Sequence, residues 1–127
     1  MTDQVDYEAQ GREIQRQLWG DRVADADSSA AAGADVAPDY FSLVRQYCFG
    51  MFWARPGLAV RDRSLITVAM LAALGRQDEL RGHLAGARNV GISKDELAEV
   101  LMQVGVYAGV PAAVSALNTA AQVLGSD

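Results

Sequence analysis

The stretch DELRGHLAGARNVGISKDELAEVL, residues 78–101, contains two predicted helices and the break between them. Gly91 follows the first helix, which we expect over Asp78–Val90, because glycine is the usual residue just beyond a helix end. Ser93 and Glu96 then match a capping box, in which each side chain accepts a hydrogen bond from the backbone N–H of the other residue. Apolar residues of the second helix recur at helical spacing, at Leu97, Val100, Leu101, Val104 and Ala108. The stretch therefore predicts two consecutive helices.

Helical periodicity extends over most of the remaining chain, and strand signals such as alternating Val, Ile and Thr are nearly absent. We expect residues 21–37, rich in Ala, Ser, Asp and Gly, to form a helix end and a mobile connector. Pro56-Gly57 and Gly109-Val110-Pro111 are predicted breaks. The sequence thus predicts one all-α domain over residues 1–127, with about six helices. The other predicted helices are Tyr7–Trp19, Pro38 to about Trp53, Arg61–Gly75 and Ala112–Leu124.

Composition restricts the classes of function. The chain has 127 residues, of which 50% are hydrophobic and 21% charged, with a formal net charge of −5 and a pI of about 4.7. A disordered chain is not expected, and nucleic-acid binding is disfavoured because phosphate neutralisation needs a basic surface. The N-terminal residues MTDQVDYEAQ are polar and acidic, and the longest apolar run, Leu65–Leu74, is too short to span a bilayer. We therefore expect no signal peptide, no membrane partner and a cytoplasmic location.

Cysteine and histidine each occur once in the chain, as Cys48 and His83. An intrachain disulfide and a CxxC redox pair are therefore impossible, and we expect no structural zinc site. No metal ligands are predicted.

Two features of the sequence predict a homo-oligomer. The helix Arg61–Gly75 is apolar on nearly all sides, which is more apolar surface than a chain of this size easily covers by itself. The last two helices are rich in Gly, Ala and Ser, small residues that let helices approach closely. A large apolar interface between subunits explains both features, and a tightly packed monomer is the alternative.

Two pairs of residues are candidates for chemistry. Glu79 and His83 are four residues apart on a helix, so their side chains meet on one face, where the carboxylate orients the imidazole and favours its protonated form. That pair suits a general acid near neutral pH, and the alternative is a surface ion pair. Trp53 and Arg55 precede the Pro56-Gly57 turn and together suit a small pocket that binds a carboxylate. The alternative is a core tryptophan beside a loop arginine.

Four motifs, in their order and spacing, carry a resemblance that extends over about Tyr7–Leu124. They are WARPGL at residues 53–58, RDRSL at 61–65, the stretch at 78–101 and YAGVPAA at 107–113. The chain resembles the 4-carboxymuconolactone decarboxylase family. The resemblance implies an all-helical fold related to the alkylhydroperoxidase D proteins, activity without a cofactor, and a homo-oligomer, with a trimer or hexamer expected.

The resemblance also implies a reaction of the protocatechuate branch of aromatic catabolism. There 4-carboxymuconolactone loses carbon dioxide and gives the 3-oxoadipate enol-lactone. Such an enzyme must stabilise a dienolate at its oxygen and then protonate it at carbon. His83 is then the acid or the oxyanion donor, and Glu79 orients it. Arg55 anchors a substrate carboxylate, although Arg63 is an alternative anchor or a structural ion-pair partner.

Peroxidases of the wider family use a CxxC pair followed by histidine. His83 matches that histidine, but Glu79 stands where the cysteine nearest to it would be. The resemblance therefore implies no peroxidase chemistry by that route.

Three positions depart from the family pattern. Decarboxylases of the family usually carry Glu where Met51 stands, Asn where Val114 stands and His where Asn118 stands. If Met51 and Asn118 bind the substrate, they indicate a substrate that is less polar than the carboxylated lactone. Alternatively, these positions face the core or an interface, where such exchanges carry no functional meaning.

Three functions follow from these observations. The first is a cofactor-independent decarboxylase of a carboxylated lactone, which we expect. The second is a diverged family member that acts on a different, less polar carbonyl or lactone compound, for example in secondary-metabolite biosynthesis. The third is a non-catalytic oligomeric binding protein, against which the retained Trp53, Arg55, Glu79 and His83 argue.

Overall fold

The computed structural model describes residues 4–27 and 31–125 of the chain. Within these residues every regular element is a helix and none is a strand, so the predicted all-α class is confirmed. No helix of this part of the chain is long and apolar enough to cross a membrane. A 3₁₀ turn at Ala32–Asp35 and a π-helix at Arg45–Trp53 accompany the α-helices. The α-helices are α1 (Tyr7–Trp19), α2 (Asp21–Ala24), α3 (Pro38–Val44), α4 (Val60–Leu74), α5 (Gln77–Asn89), α6 (Lys94–Ala108) and α7 (Val110–Leu124).

Helices α1 and α6 each begin with a side chain that caps the first turn, and both begin where the sequence predicts. At the start of α1, the Asp6 side chain accepts from the Ala9 N–H at 2.9 Å. At the start of α6, both bonds of the capping box are present. The Glu96 N–H donates to Ser93 Oγ at 3.0 Å, and the Ser93 N–H donates to Glu96 Oε1 at 3.1 Å. These bonds satisfy N–H groups that the first turn of a helix otherwise leaves free.

Two predicted interruptions differ from the structure. The predicted break Gly109-Val110-Pro111 is confined to Gly109, whose φ of 104° ends α6, and α7 already begins at Val110. Pro111 lies in the first turn of α7, where its missing N–H removes no helical hydrogen bond. The described part of the predicted connector at residues 21–37 contains α2 and the 3₁₀ turn, while residues 28–30 lie outside the described residues. Mobility of the connector stays a prediction.

The segment Arg45–Trp53 continues α3 as a π-helix, whereas the sequence predicts a single α-helix from Pro38 to about Trp53. Its end shows the wider hydrogen-bond spacing, since the Ala54 N–H donates to the carbonyl oxygen of Phe49, five residues earlier, at 3.1 Å. Nine residues of π geometry are unusual, because such turns are mostly single and concentrate at functional sites.

The chain divides after Val60 into two compact units, close to the predicted break at Pro56-Gly57. The assignment of residues 1–127 to one domain stays a prediction. In the first unit, α1 crosses the π-helix at two glycines. A Cβ atom added to Gly11 would lie 2.4 Å from the Arg45 carbonyl oxygen, and one added to Gly50 would lie 2.2 Å from the Tyr7 carbonyl oxygen. The two backbones therefore approach so closely that only glycine fits at either position.

Arg45 is fully buried beneath this crossing, with 1% of its surface exposed. Its Nε donates to Gln15 Oε1 at 2.7 Å, and its Nη1 donates to Glu8 Oε1 at 3.1 Å. A buried guanidinium needs both a counter-charge and hydrogen-bond acceptors, because a desolvated ion is costly without them. Glu8 supplies the charge and Gln15 one of the acceptors.

Backbone carbonyls of the segment after α1 supply the remaining acceptors. Arg45 also donates to the carbonyl oxygens of Ala26 at 2.9 Å and Val23 at 3.2 Å. Arg12 Nη1 donates to the carbonyl oxygens of Ala24 at 2.8 Å and Ala26 at 3.0 Å. Two arginines thus fix the chain path where the predicted connector begins.

In the second unit, α4, α5, α6 and α7 share one hydrophobic core. Helix α4 contributes one face to it, through Val68 and Ala72. On the opposite face of α4, Ile66, Met70 and Leu74 are exposed. The single chain thus leaves this face of α4 uncovered, and its burial against another subunit stays a prediction. The fully buried leucines and isoleucine of the core are Leu80, Leu84, Ile92, Leu97 and Leu101.

The exposed face of α4 forms one side of an apolar groove of about 450 Å³, which we call the α4–α6 groove. Its other side is the face of α6 that carries Val100, Val104 and Tyr107. Gln103 is the one polar amide among the residues that line it. The surface that the sequence analysis assigns to a subunit interface is thus present and open in the single chain.

We expect Gly11→Ala to lower the free energy of unfolding by about 1–3 kcal/mol or more, because the added methyl group overlaps the backbone of the π-helix. Gly82→Ala in α5 is the matched control, since a Cβ atom there meets nothing within 4 Å. It should raise the free energy of unfolding by about 0.5–1 kcal/mol, the usual preference for alanine over glycine in a helix. Urea unfolding of both variants measures the difference, and equal effects would contradict the close crossing.

Candidate active site

His83 lies on α5, four residues after Glu79 in the first turn of the same helix. Glu79 is exposed, whereas His83 is partly buried in the second unit. Burial removes water from the imidazole and lowers the pKa of His83 to about 4, although the charge of Glu79 acts in the opposite direction. The imidazole is therefore neutral at neutral pH.

Glu79 acts in the predicted direction, because its charge raises the pKa of His83, but burial outweighs it, so the resting imidazole is not the protonated acid that the sequence suggests. The physical reason is that water around the exposed Glu79 carboxylate weakens its attraction, whereas the desolvation of His83 is not screened. A neutral imidazole carries one N–H donor and one acceptor nitrogen. His83 at neutral pH is thus suited to donate a hydrogen bond rather than to hold a proton ready for transfer.

Trp53 and Arg55 line one cavity of about 470 Å³ in the first unit. The Phe49 ring positions Trp53, with their ring centres 5.8 Å apart. Phe49 also packs edge-to-face against Trp19, with ring centres 5.5 Å apart. Arg55 follows the end of the π-helix, where its N–H donates to the Phe52 carbonyl oxygen at 3.1 Å. The predicted proximity of tryptophan and arginine is therefore present, and Arg55 is exposed to solvent.

The same cavity has a second wall that the sequence analysis did not identify. One face of α1 lines it, through Gln10, Glu13, Ile14 and Gln17. Their spacing of three, four and seven residues is the periodicity of a helix face and is visible in the sequence. Polar residues at that spacing usually face solvent, so no local signal distinguishes them from an ordinary helix surface.

The other candidate residues occupy separate places. Met51 lies on the π-helix with 39% of its surface exposed, and Val114 lies on α7 with 50% exposed. Asn118 is one turn further along α7 and is also exposed, while Arg63 is partly buried on α4. Met51, Val114 and Asn118 therefore do not face the core of the single chain, and the alternative that they face a subunit interface stays a prediction.

The structure thus brings the candidates together in two pairs. Trp53 and Arg55 share a cavity of the first unit, and Glu79 and His83 share a helix of the second. A pocket common to both pairs stays a prediction.

Cys48 is partly buried on the π-helix, and burial raises the pKa of its thiol. A protonated thiol is a poor nucleophile, so this burial disfavours a catalytic role for Cys48. Among residues 4–27 and 31–125, no group of three or more His, Cys, Asp and Glu side chains is placed to hold a metal ion. The expectation that the protein acts without a cofactor stays a prediction.

Comparison with known proteins gives several matches along the chain. The sequence profile of the Carboxymuconolactone decarboxylase family matches residues 38–122. A 4-carboxymuconolactone decarboxylase of Acinetobacter baylyi is 38% identical over 123 residues, which are 97% of this chain and 90% of that protein. A nitrosuccinic acid decarboxylase of Metarhizium robertsii is 33% identical over 75 residues, which are 59% of this chain and 52% of that protein. All the candidate site residues lie within the region that the profile matches.

Because the chain contains a single histidine, its proton NMR titration reports His83 alone. We expect a midpoint near pH 4, as burial of the imidazole requires. Glu79→Gln should lower that midpoint further, because it removes the negative charge that favours the imidazolium. Asp78→Asn, a neighbouring acid of the same turn, is the control and should move it less. A midpoint at or above 6.5 would show that His83 is hydrated rather than buried.

Proposed function

The chain belongs to the carboxymuconolactone decarboxylase family, and from this premise we propose that it is a decarboxylase of a carboxylated lactone of the 4-carboxymuconolactone type. The observation that carries the proposal is the 38% identity over 97% of the chain to an enzyme that bears that name. The coarser conclusion, a carboxy-lyase-like enzyme of this family, follows from the match itself. The reaction belongs to the protocatechuate and 3-oxoadipate pathway.

The proposed reaction needs a hydrogen-bond donor where negative charge develops. The bond between the lactone ring and its carboxylate breaks, carbon dioxide leaves, and the electron pair spreads onto the lactone carbonyl oxygen. A donor that is already in place at that oxygen stabilises the dienolate without reorganising water. A proton then adds to carbon and completes the reaction.

We assign the donor role to His83, because burial keeps its imidazole neutral with one N–H to donate. A neutral imidazole also gains a proton more readily once an anionic substrate lies beside it, because a nearby negative charge raises the pKa. His83 therefore first donates a hydrogen bond to the negatively charged oxygen. Once protonated, it then donates a proton to the carbon. Glu79 orients the imidazole.

The reaction retains a second carboxylate of the substrate, and we propose that Arg55 binds it. Its guanidinium is exposed to the cavity that Trp53 lines, and the indole excludes water from one side. A guanidinium binds a carboxylate through two parallel hydrogen bonds, which fixes its orientation. Arg63 is the weaker candidate, because it is partly buried on α4.

A second function keeps the same site but changes the substrate. Met51 and Val114 are exposed apolar side chains where decarboxylases of the family usually carry polar ones, and packing of the single chain does not require them to be apolar. The similarity to a nitrosuccinic acid decarboxylase shows that relatives with another substrate exist. The exposed apolar Met51 and Val114 favour a diverged member that acts on a less polar carbonyl or lactone compound, with Met51 and Asn118 among the substrate contacts.

We also propose that the enzyme is a homo-oligomer, a trimer or hexamer, that acts in the cytoplasm on a small molecule. The α4–α6 groove supports the oligomer, because Ile66, Met70 and Tyr107 expose apolar surface that water disfavours. A second copy of the chain carries the same apolar surface and so provides a matching partner.

The decisive assay supplies 4-carboxymuconolactone to the wild type, His83→Ala and His83→Gln. We expect wild-type turnover, and roughly 10²-fold or more loss in His83→Ala, because a preorganised donor at the oxygen is removed. His83→Gln should keep part of the activity, because its amide is also a neutral donor.

Arg88→Ala, at an exposed position of the same helix, is the control for effects on α5. Absence of wild-type turnover would move the assignment to the diverged member. Equal losses in His83→Ala and His83→Gln would contradict the donor role and favour proton transfer by the imidazole.

The oligomer is tested by light scattering. We expect a mass several times 13.5 kDa for the wild type and a lower mass for Met70→Glu, because the change places a charge in the α4–α6 groove. Val36→Glu is the matched control, since it makes the same kind of change at an exposed apolar residue of the first unit. A monomeric wild type at micromolar concentration would rule out the proposed assembly.

A further inference from the structure

We propose that the polar face of α1 completes a carboxylate subsite around Arg55, with Gln17 as the second donor and Glu13 as the group that limits the negative charge of the substrate. The inference rests on the proposed function, because it concerns the substrate of the same cavity. The residues of α1 lie outside the region that the family profile matches, so membership in the family does not assign them this role.

The first step is the position of α1. Gly11, Gln15 and Leu18 are buried, on the side of the helix from which Gln15 accepts a hydrogen bond from buried Arg45. The adjacent face carries Gln10, Glu13 and Gln17 and lines the cavity together with Arg55. The close crossing at Gly11 fixes the rotation of α1, so this polar face cannot turn away from the cavity.

The second step is the number of donors that a carboxylate can use. Its two oxygens offer about four lone-pair sites, and a guanidinium in two-pronged contact fills two of them. The Gln10 amide is held in place, because one N–H of its Nε2 donates to the Gly50 carbonyl oxygen at 2.9 Å. Gln17 is exposed, and its amide meets no partner among the described residues. Gln17 is therefore the amide of this wall that can turn both of its N–H groups to a ligand.

The third step concerns charge. Glu13 is a carboxylate on the same wall, 3.4 Å from the Arg16 Nε and with most of its side chain exposed. The Glu13 charge weakly repels a ligand carboxylate held by Arg55, whose guanidinium offsets the repulsion. A second ligand carboxylate near α1 would be repelled without that offset. The remaining lining is apolar, with Ile14, Trp53 and Leu58, and suits the body of a small ring. The cavity thus fits a ring compound that presents one carboxylate to this end of the site.

Calorimetric titration with γ-butyrolactone-γ-acetate tests the subsite without any turnover. This saturated lactone carries the carboxylate arm that the proposed reaction retains, and it has no carboxylate on the ring carbon that could leave as carbon dioxide. We expect the wild type to bind it and to bind its uncharged methyl ester much more weakly. Arg55→Ala should abolish the preference, and Gln17→Ala should weaken binding of the carboxylate by about tenfold, as for loss of a hydrogen bond to a charged group.

Glu13→Gln supplies a test that loss of structure cannot imitate, because it should tighten binding of the carboxylate by roughly threefold. Gln122→Ala, an exposed glutamine of α7 in the second unit, is the matched control and should bind as the wild type does. Thermal unfolding of each variant should match that of the wild type, since all of these side chains are exposed.

The outcomes separate this proposal from the proposed function. Carboxylate-selective binding that depends on Arg55, Gln17 and Glu13, in a protein that does not turn over 4-carboxymuconolactone, supports the subsite and contradicts that substrate. Wild-type binding in Gln17→Ala and Glu13→Gln overturns the role of α1, even if turnover is found. Failure of the wild type to bind the carboxylate overturns the subsite as a whole.

Discussion

The close crossing of α1 over the π-helix is the constraint on which the first unit depends. Gly11 and Gly50 leave no room for a side chain at the two points where the backbones meet. That distance sets the position of the π-helix end, and with it Trp53 and Arg55. A helix pair held apart by ordinary side chains would separate the two walls of the cavity, so the geometry of the candidate site originates in two residues that take no part in binding.

In the second unit, the balance between burial and charge decides the state of the candidate catalytic group. Removal of water lowers the pKa of His83 from 6.5 to about 4 despite Glu79. Between these two pH values the unfolded chain binds a proton at His83 that the folded chain does not, so folded stability decreases as the pH falls through this window. The protein thus keeps a neutral imidazole at a cost in acid stability, which is consistent with a role for the neutral form.

The sequence predicts those parts of the fold that depend on short-range signals. The capping box of Ser93 and Glu96 and the spacing of Glu79 and His83 are local, and both are present. The π-helix is not predictable in this way, because its apolar pattern also fits an α-helix. The pKa of His83 and the contribution of Gln17 to the cavity depend on what surrounds each side chain in the folded chain, which residue spacing does not report.

The arginine contacts with the segment after α1 have a consequence for how this region can evolve. Arg12 and Arg45 bind the carbonyl oxygens of Val23, Ala24 and Ala26 rather than their side chains. Every amino acid provides such an oxygen, so substitutions in the segment leave the recognised groups in place. Homologues can therefore vary its exposed positions while its path over the first unit is inherited, provided that the two arginines and a small residue at the buried Ala24 remain.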